Sequence, residues 1–248
     1  MKKVLFLLVF LITFAGSVFA QHTYVLLAGI SNYGDENANL SQTTKDVKSI
    51  KSIFDKQQNT TVALLTSKYA TGSNIEEKLN AIIKLAKPND IIIFCFSGHG
   101  TTGGFVTYGP TPELFPYKKL VQILSKSKAN EIFCFIDACM SGSVQGEASS
   151  NYGFSTNGSH SGITFMVASR ADEVSWENNW VGHGYFTKSL LKGLRGASDR
   201  NSDKNITLKE LFDYIYNDVT RRSISANTPQ HPQLIGPSSS YNTVITRW

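Results

Sequence analysis

The sequence predicts an α/β fold: a mostly parallel central sheet flanked by helices on both faces, in a single domain. Three observations predict it. Short apolar runs rich in Ile, Val and Phe recur at residues 24–30, 61–65, 91–96, 132–136 and 163–168. They are too short for helices and read as strands buried on both faces. Amphipathic segments with 3/4 spacing lie between them, and strand alternating with helix leads to right-handed crossovers. No internal repeat and no dividing linker interrupts the 248 residues, which suffice for one large core.

The chain opens on a segment outside that pattern. Lys2 and Lys3 form a basic start, residues 4–14 are apolar except for Thr13, and Ala15-Gly16-Ser17-Val18-Phe19-Ala20 follows. Val18 and Ala20 are the small residues a signal peptidase reads, so residues 1–20 form a secretory signal cut before Gln21, with the folded domain at 21–248. The other reading is a membrane anchor, but the run falls short of the ~20 apolar residues that span a bilayer. The expected location is therefore secreted or periplasmic, with no stable membrane span after cleavage. Losing Lys2 and Lys3 lowers the net charge from +5 to +3, which gives no support to a nucleic-acid or membrane-surface role.

The elements then follow in order. After the first strand, Val47, Ile50 and Phe54 mark a helix. After the second, Ile75, Leu79, Ile82 and Ala86 mark another, and after the third come Tyr117, Leu120 and Leu124. The fourth strand leads into 143–162, rich in Ser, Gly and Asn, which reads as a long surface loop. The fifth is followed by two more helical stripes, Phe186, Leu190, Leu194 and then Leu208, Leu211, Phe212, Ile215, Val219. Three cysteines cannot form a disulfide scaffold. Cys95 and Cys134 lie inside strands and read as small core hydrophobes with free thiols.

The chemistry sits where two strands end. The third runs into Ser97-Gly98-His99-Gly100 and the fourth into Asp137-Ala138-Cys139-Met140-Ser141-Gly142. Loops at the carboxyl ends of parallel strands form the binding crevice of such a sheet. If the two strands are neighbours they stand ~4.8 Å apart, and His99 and Cys139 emerge side by side. A cysteine beside an imidazole is an activated nucleophile, with the histidine managing the proton. Glycines in both turns let backbone N–H groups approach a developing oxyanion. A Gly-x-Ser-x-Gly elbow and zinc-type Cys/His spacings are missing from the sequence, against a serine hydrolase and a zinc enzyme.

These two strand ends, about forty residues apart, resemble those of the caspase-like cysteine peptidases, nearer the metacaspase and bacterial branch than the animal caspases. The likeness spans most of the mature chain: Val25-Leu26-Leu27-Ala28-Gly29-Ile30 resembles the family's first strand. Ala168-Ser169-Arg170-Ala171-Asp172-Glu173 and Gly184-Tyr185-Phe186-Thr187 resemble its later segments. The resemblance implies the caspase-hemoglobinase fold, a His99–Cys139 dyad, and an oxyanion hole made by the N–H groups of Gly100 and Cys139. It also implies peptide or protein substrates and no cofactor for the chemistry. In the metacaspase-like pattern an aspartate two residues before the nucleophile, here Asp137, lines the pocket for the residue before the cut. Asp46, near the start of the first helix, stands where a second pocket aspartate would be, although the cysteine and asparagine usual before it are missing. Two carboxylates would attract Arg or Lys and repel Asp or Glu. Asp46 also reads as a helix N-terminal acid favoured by the dipole.

A second constellation lies further on. Asp199-x-Asn201-x-Asp203, with Glu210 at the twelfth position, matches the calcium loop of an EF-hand, but Lys204 replaces the sixth-position glycine. The other reading is a polar turn in which Thr207 and Glu210 make a capping box. Trp176 and Trp180 bracket a segment that either walls the substrate groove or packs at the surface. The activity expected is that of an endopeptidase cutting after Arg or Lys; the alternative is a relative that keeps the fold only to bind a peptide or protein. No Lys or Arg occurs between Lys128 and Arg170, so such an enzyme has no site for cutting itself in the loop after Cys139.

Overall fold

Each of the five apolar runs becomes a strand, and each helical stripe becomes a helix. The structure, a computed structural model, describes residues 20–139, 141–145, 162–170, 177–178 and 183–248. The strands are β1 (Thr23–Gly29), β2 (Thr60–Thr66), β3 (Ile91–Ser97), β4 (Gly100–Thr101), β5 (Gly104–Thr107), β6 (Glu113–Pro116), β7 (Glu131–Asp137), β8 (Gly162–Val167), β9 (Glu177–Asn178), β10 (His183–Gly184), β11 (Asn205–Thr207), β12 (Gln233–Ile235) and β13 (Val244–Arg247). The helices are α1 (Thr43–Phe54), α2 (Gly72–Leu85), α3 (Tyr117–Leu124), α4 (Tyr185–Lys192) and α5 (Leu208–Ser225).

The central sheet has the order β12-β8-β7-β3-β1-β2. Its first five strands in chain order are parallel, and β12 closes one edge antiparallel to β8. From β1 the chain steps outward to β2, then back across β1 to β3 and on to β7. Right-handed crossovers in opposite directions place their helices on opposite faces. Accordingly α2 and α3 bury Ile75, Leu79, Leu120 and Leu124 against Leu26, Ile92, Phe94, Ile132 and Phe165. On the other face α1, α4 and α5 bury Val47, Ile50, Phe186, Leu190, Leu211 and Ile215 against Val25, Leu27, Ile93, Phe133 and Phe135. All seven residues of β3 are buried, as expected for a strand covered on both sides.

The direction of winding reverses between β1 and β3, which makes their carboxyl ends the switch point at which such sheets build their sites. A small antiparallel sheet, β4-β5-β6, rises from the end of β3. It is held down by Phe105, whose ring stacks on Phe96 at 4.2 Å and on Phe115 at 5.1 Å between centroids. Its strands of two to four residues are too short to show an alternating pattern in the sequence. Cys95 and Cys134 sit on adjoining strands, but Cys95 packs on the α1 face and Cys134 on the α2 face, because side chains alternate along a strand. Both thiols are free, and burial pushes their pKa values up.

No helix among the described residues is long and apolar enough to cross a membrane. Residues 1–19 of the signal segment, the loop stretch 146–161, Asp172, Glu173, Trp176 and Trp180 lie outside the described residues.

Candidate active site

Strand register places the two candidate catalytic residues level with each other. Ser97 of β3 pairs with Asp137 of β7, and the ladder runs one step further, where Gly98 N–H donates to the carbonyl of Asp137 at 3.2 Å. His99 and Cys139 each follow two residues after that Ser97–Asp137 pair. The next residue closes the contact. A Cβ built on Gly100 would lie 2.6 Å from the carbonyl oxygen of Cys139 and 3.4 Å from its nitrogen, so only glycine lets these two backbones approach so closely.

The direction of the Gly100 N–H follows from the small sheet. Gly100 faces Phe105 in the antiparallel β4–β5 pair, and Val106 N–H donates to the carbonyl of His99 at 2.9 Å. That pattern makes Gly100–Phe105 a non-hydrogen-bonded pair, whose N–H and C=O groups point away from the partner strand. The ladder therefore does not use the Gly100 N–H.

The imidazole is anchored from the far side. Its Nε2 lies 2.7 Å from the carbonyl oxygen of Ala38. A carbonyl can only accept, so Nε2 carries the hydrogen and Nδ1 is left to exchange a proton. Ala38 ends a short 3-10 turn, Glu36–Ala38, whose N-cap Asp35 accepts the N–H of Asn37 at 2.9 Å. Cys139 is partly exposed, unlike the two buried strand cysteines.

Both aspartates are buried, each on a hydroxyl partner. Asp46 is 1% exposed and accepts the hydroxyl of Ser97 at 3.0 Å. Asp137 is 8% exposed, and its Oδ2 accepts both the hydroxyl of Thr187 at 2.7 Å and the Thr187 N–H at 3.2 Å. Ser97, Asp46, Asp137 and Thr187 thus form a buried polar group on the α1 and α4 side of the strand ends. The loop after Cys139 is tied at two points: Gly103 N–H donates to Ser143 Oγ at 3.0 Å and Ser169 N–H to Ser141 Oγ at 3.4 Å. Sequence reading missed the roles of Ala38, Ser97 and Thr187. For Ala38 no signal existed, since every residue carries a carbonyl.

The 199–210 constellation lies elsewhere, between α4 and α5. Asp199 Oδ2 accepts the N–H of Lys204 at 3.0 Å and the indole N–H of Trp248 at 3.2 Å; its Oδ1 is buried without a hydrogen-bond partner. Asn201 Oδ1 accepts the N–H of Asp203, and Asp203 Oδ1 that of Asn205 at 2.7 Å. The Asn205 N–H holds the Asp203 carboxyl below its ordinary value. Lys204, in the position usual for glycine, takes φ of 63°. Glu210 Oε2 accepts the N–H and hydroxyl of Thr207, completing a capping box at the start of α5. Among the described residues, no group of three His, Cys, Asp or Glu side chains is gathered in a way that could hold a metal ion.

Comparison with known proteins bears on the family and the fold. A family model described as the caspase domain matches residues 22–240. The crystal structure of protein GSU0716 from Geobacter sulfurreducens superposes with a TM-score of 0.64 at 15% identity, covering 91% of this chain and 99% of that one. At that identity the likeness concerns the fold. No curated protein sequence matches the chain.

Proposed function

This chain belongs to the caspase-domain family of peptidases, and from that premise we propose that it is a cysteine endopeptidase cutting after arginine or lysine. The observation that carries the reading is the level exit of His99 and Cys139 from β3 and β7, with Gly100 packed against the Cys139 backbone. In the proposed reaction Nδ1 of His99 takes the thiol proton and Cys139 Sγ attacks the scissile carbonyl. Charge on the carbonyl oxygen is met by the N–H groups of Gly100 and Cys139. The imidazolium returns the proton to the leaving amine. A water then attacks the thioester with His99 as base, releasing the acid. No step needs a cofactor.

Two buried carboxylates around the ends of β3 and β7, Asp46 held by Ser97 and Asp137 held by Thr187, support the basic preference. A cationic side chain reaching them gains charge-assisted hydrogen bonds, while an acidic one would bring a third negative charge into a desolvated pocket. The test is a set of fluorogenic amides ending in Arg, Lys or Asp. Arg and Lys amides are expected to be cleaved, and Cys139→Ala to abolish turnover while leaving folding and peptide binding intact. Unchanged turnover in that variant would sink the enzyme reading, and faster cleavage after Asp would sink the pocket assignment. We also propose export, secreted or periplasmic, from the 1–20 signal pattern; N-terminal sequencing should begin at Gln21.

A further inference from the structure

Tyr33, in the segment after β1, is 3% exposed and takes no part in the steps above. Its hydroxyl accepts the main-chain N–H of His99 at 2.8 Å and donates to the carbonyl of Val106 at 3.4 Å. Its ring lies 4.8 Å from the imidazole, tilted by 43°. Gly98 makes the approach possible: a Cβ there would stand 2.6 Å from the tyrosine oxygen. The N–H of Tyr33 is in turn fixed on Asn39 Oδ1 at 2.9 Å, beside the Ala38 carbonyl that holds Nε2.

His99 lies between Gly98 and Gly100, whose backbones have more freedom than any other residue's. Left to itself, that stretch would let the imidazole swing away from Cys139. We propose that Tyr33 is a positioning residue for the peptidase reaction: its hydroxyl pins the histidine backbone, its ring backs the imidazole, and both act through His99 rather than on substrate. The proposal rests on the Cys139–His99 reading above.

Tyr33→Phe removes the hydroxyl and keeps the ring. Steady-state kinetics on an Arg-ending amide should show kcat down about tenfold with KM within about twofold, the signature of a group acting after binding. Alkylation of the protein by iodoacetamide across pH reads the dyad without substrate. In Tyr33→Phe the rate at neutral pH should fall toward that of His99→Ala. Gly98→Ala, which drives the hydroxyl off, should reproduce that profile, and the double variant should add no further loss. Wild-type kcat and a wild-type alkylation profile in Tyr33→Phe would overturn the proposal. So would a lowered melting temperature with both readouts unmoved, which marks a merely structural side chain. If wild-type protein and His99→Ala alkylate alike at every pH, the dyad itself fails and the positioning role falls with it. A His99-dependent wild type with an unaffected Tyr33→Phe rejects Tyr33 alone.

Discussion

The imidazole of His99 gives its Nε2 hydrogen to the main-chain carbonyl of Ala38, 2.7 Å away and 61 residues earlier in the chain. A main-chain acceptor cannot titrate, so it selects one tautomer across the working pH range, and its precision depends on the turn that carries it. Asp35 caps that turn from an exposed position. Asp35→Ala is expected to lower kcat about fivefold by loosening the Ala38 carbonyl, in line with the ~1 kcal/mol of a lost cap. Steady-state kinetics check it, with KM expected to stay close to wild type.

Gly100→Ala should be far more damaging. Its methyl group would lie 2.6 Å from the Cys139 carbonyl oxygen and 2.8 Å from the Ala138 methyl, so β4 and the nucleophile turn must separate. Loss of one oxyanion donor is expected to lower kcat by about 10²–10³-fold. Single-turnover kinetics on a folded variant measure it.

The purified protein should remain one chain in the loop after Cys139. Lys118 and Lys119 lie within α3, and the turn holding Lys126 and Lys128 is tied down. Ala129 N–H donates to Ser127 Oγ at 3.1 Å, Asn130 N–H to the carbonyl of Pro88 at 2.9 Å, and Ala129 is fully buried. A protease needs several residues of free extended chain. Intact-mass measurement after prolonged incubation should show no cut between 143 and 162 and none at these lysines.

Glu210 separates the two readings of the 199–210 segment. Its carboxylate closes the capping box on Thr207, so Glu210→Ala should cost about 1 kcal/mol of stability. That loss should be the same with millimolar calcium and with a chelator present. Paired denaturant melts test this; a calcium-dependent loss would favour the metal reading.

Asp218 governs part of the acid limb. Burial alone would raise its pKa, but the hydroxyl of Ser189 at 2.7 Å and the guanidinium groups of Arg222 and Arg221 at 2.9 Å hold it below the ordinary value. A depressed folded pKa means the unfolded chain takes the proton first as pH falls. The contribution is therefore full above the unfolded value of about 3.9 and is lost as pH drops through the lower folded value. Asp218→Asn should lower stability at neutral pH and flatten its decline below about pH 4. Denaturant midpoints across pH give the comparison.

Strand and helix positions were legible in the sequence because burial on two faces leaves a local mark: β3 and β7 were read to within a residue at each end. The placement of His99, Cys139 and Gly100 just past the ends of β3 and β7 was legible for a related reason, since a buried strand ends where its apolar run stops. The small β4-β5-β6 sheet and the antiparallel edge strand β12 were not, because strands of two to four residues carry no measurable period.

By itself, then, the sequence determined which segments would be buried and which candidate residues stand just past their ends, as both follow from side-chain chemistry and short-range spacing. Only the tertiary structure decided what holds those residues in place: the Ala38 carbonyl on Nε2, the Tyr33 hydroxyl on the His99 backbone, Ser97 on Asp46 and Thr187 on Asp137. Each of these joins positions 50 to 66 residues apart. Two of the four use main-chain groups that every residue possesses, so their choice rests on strand order and register, which arise only when β1, β3 and β7 lie side by side.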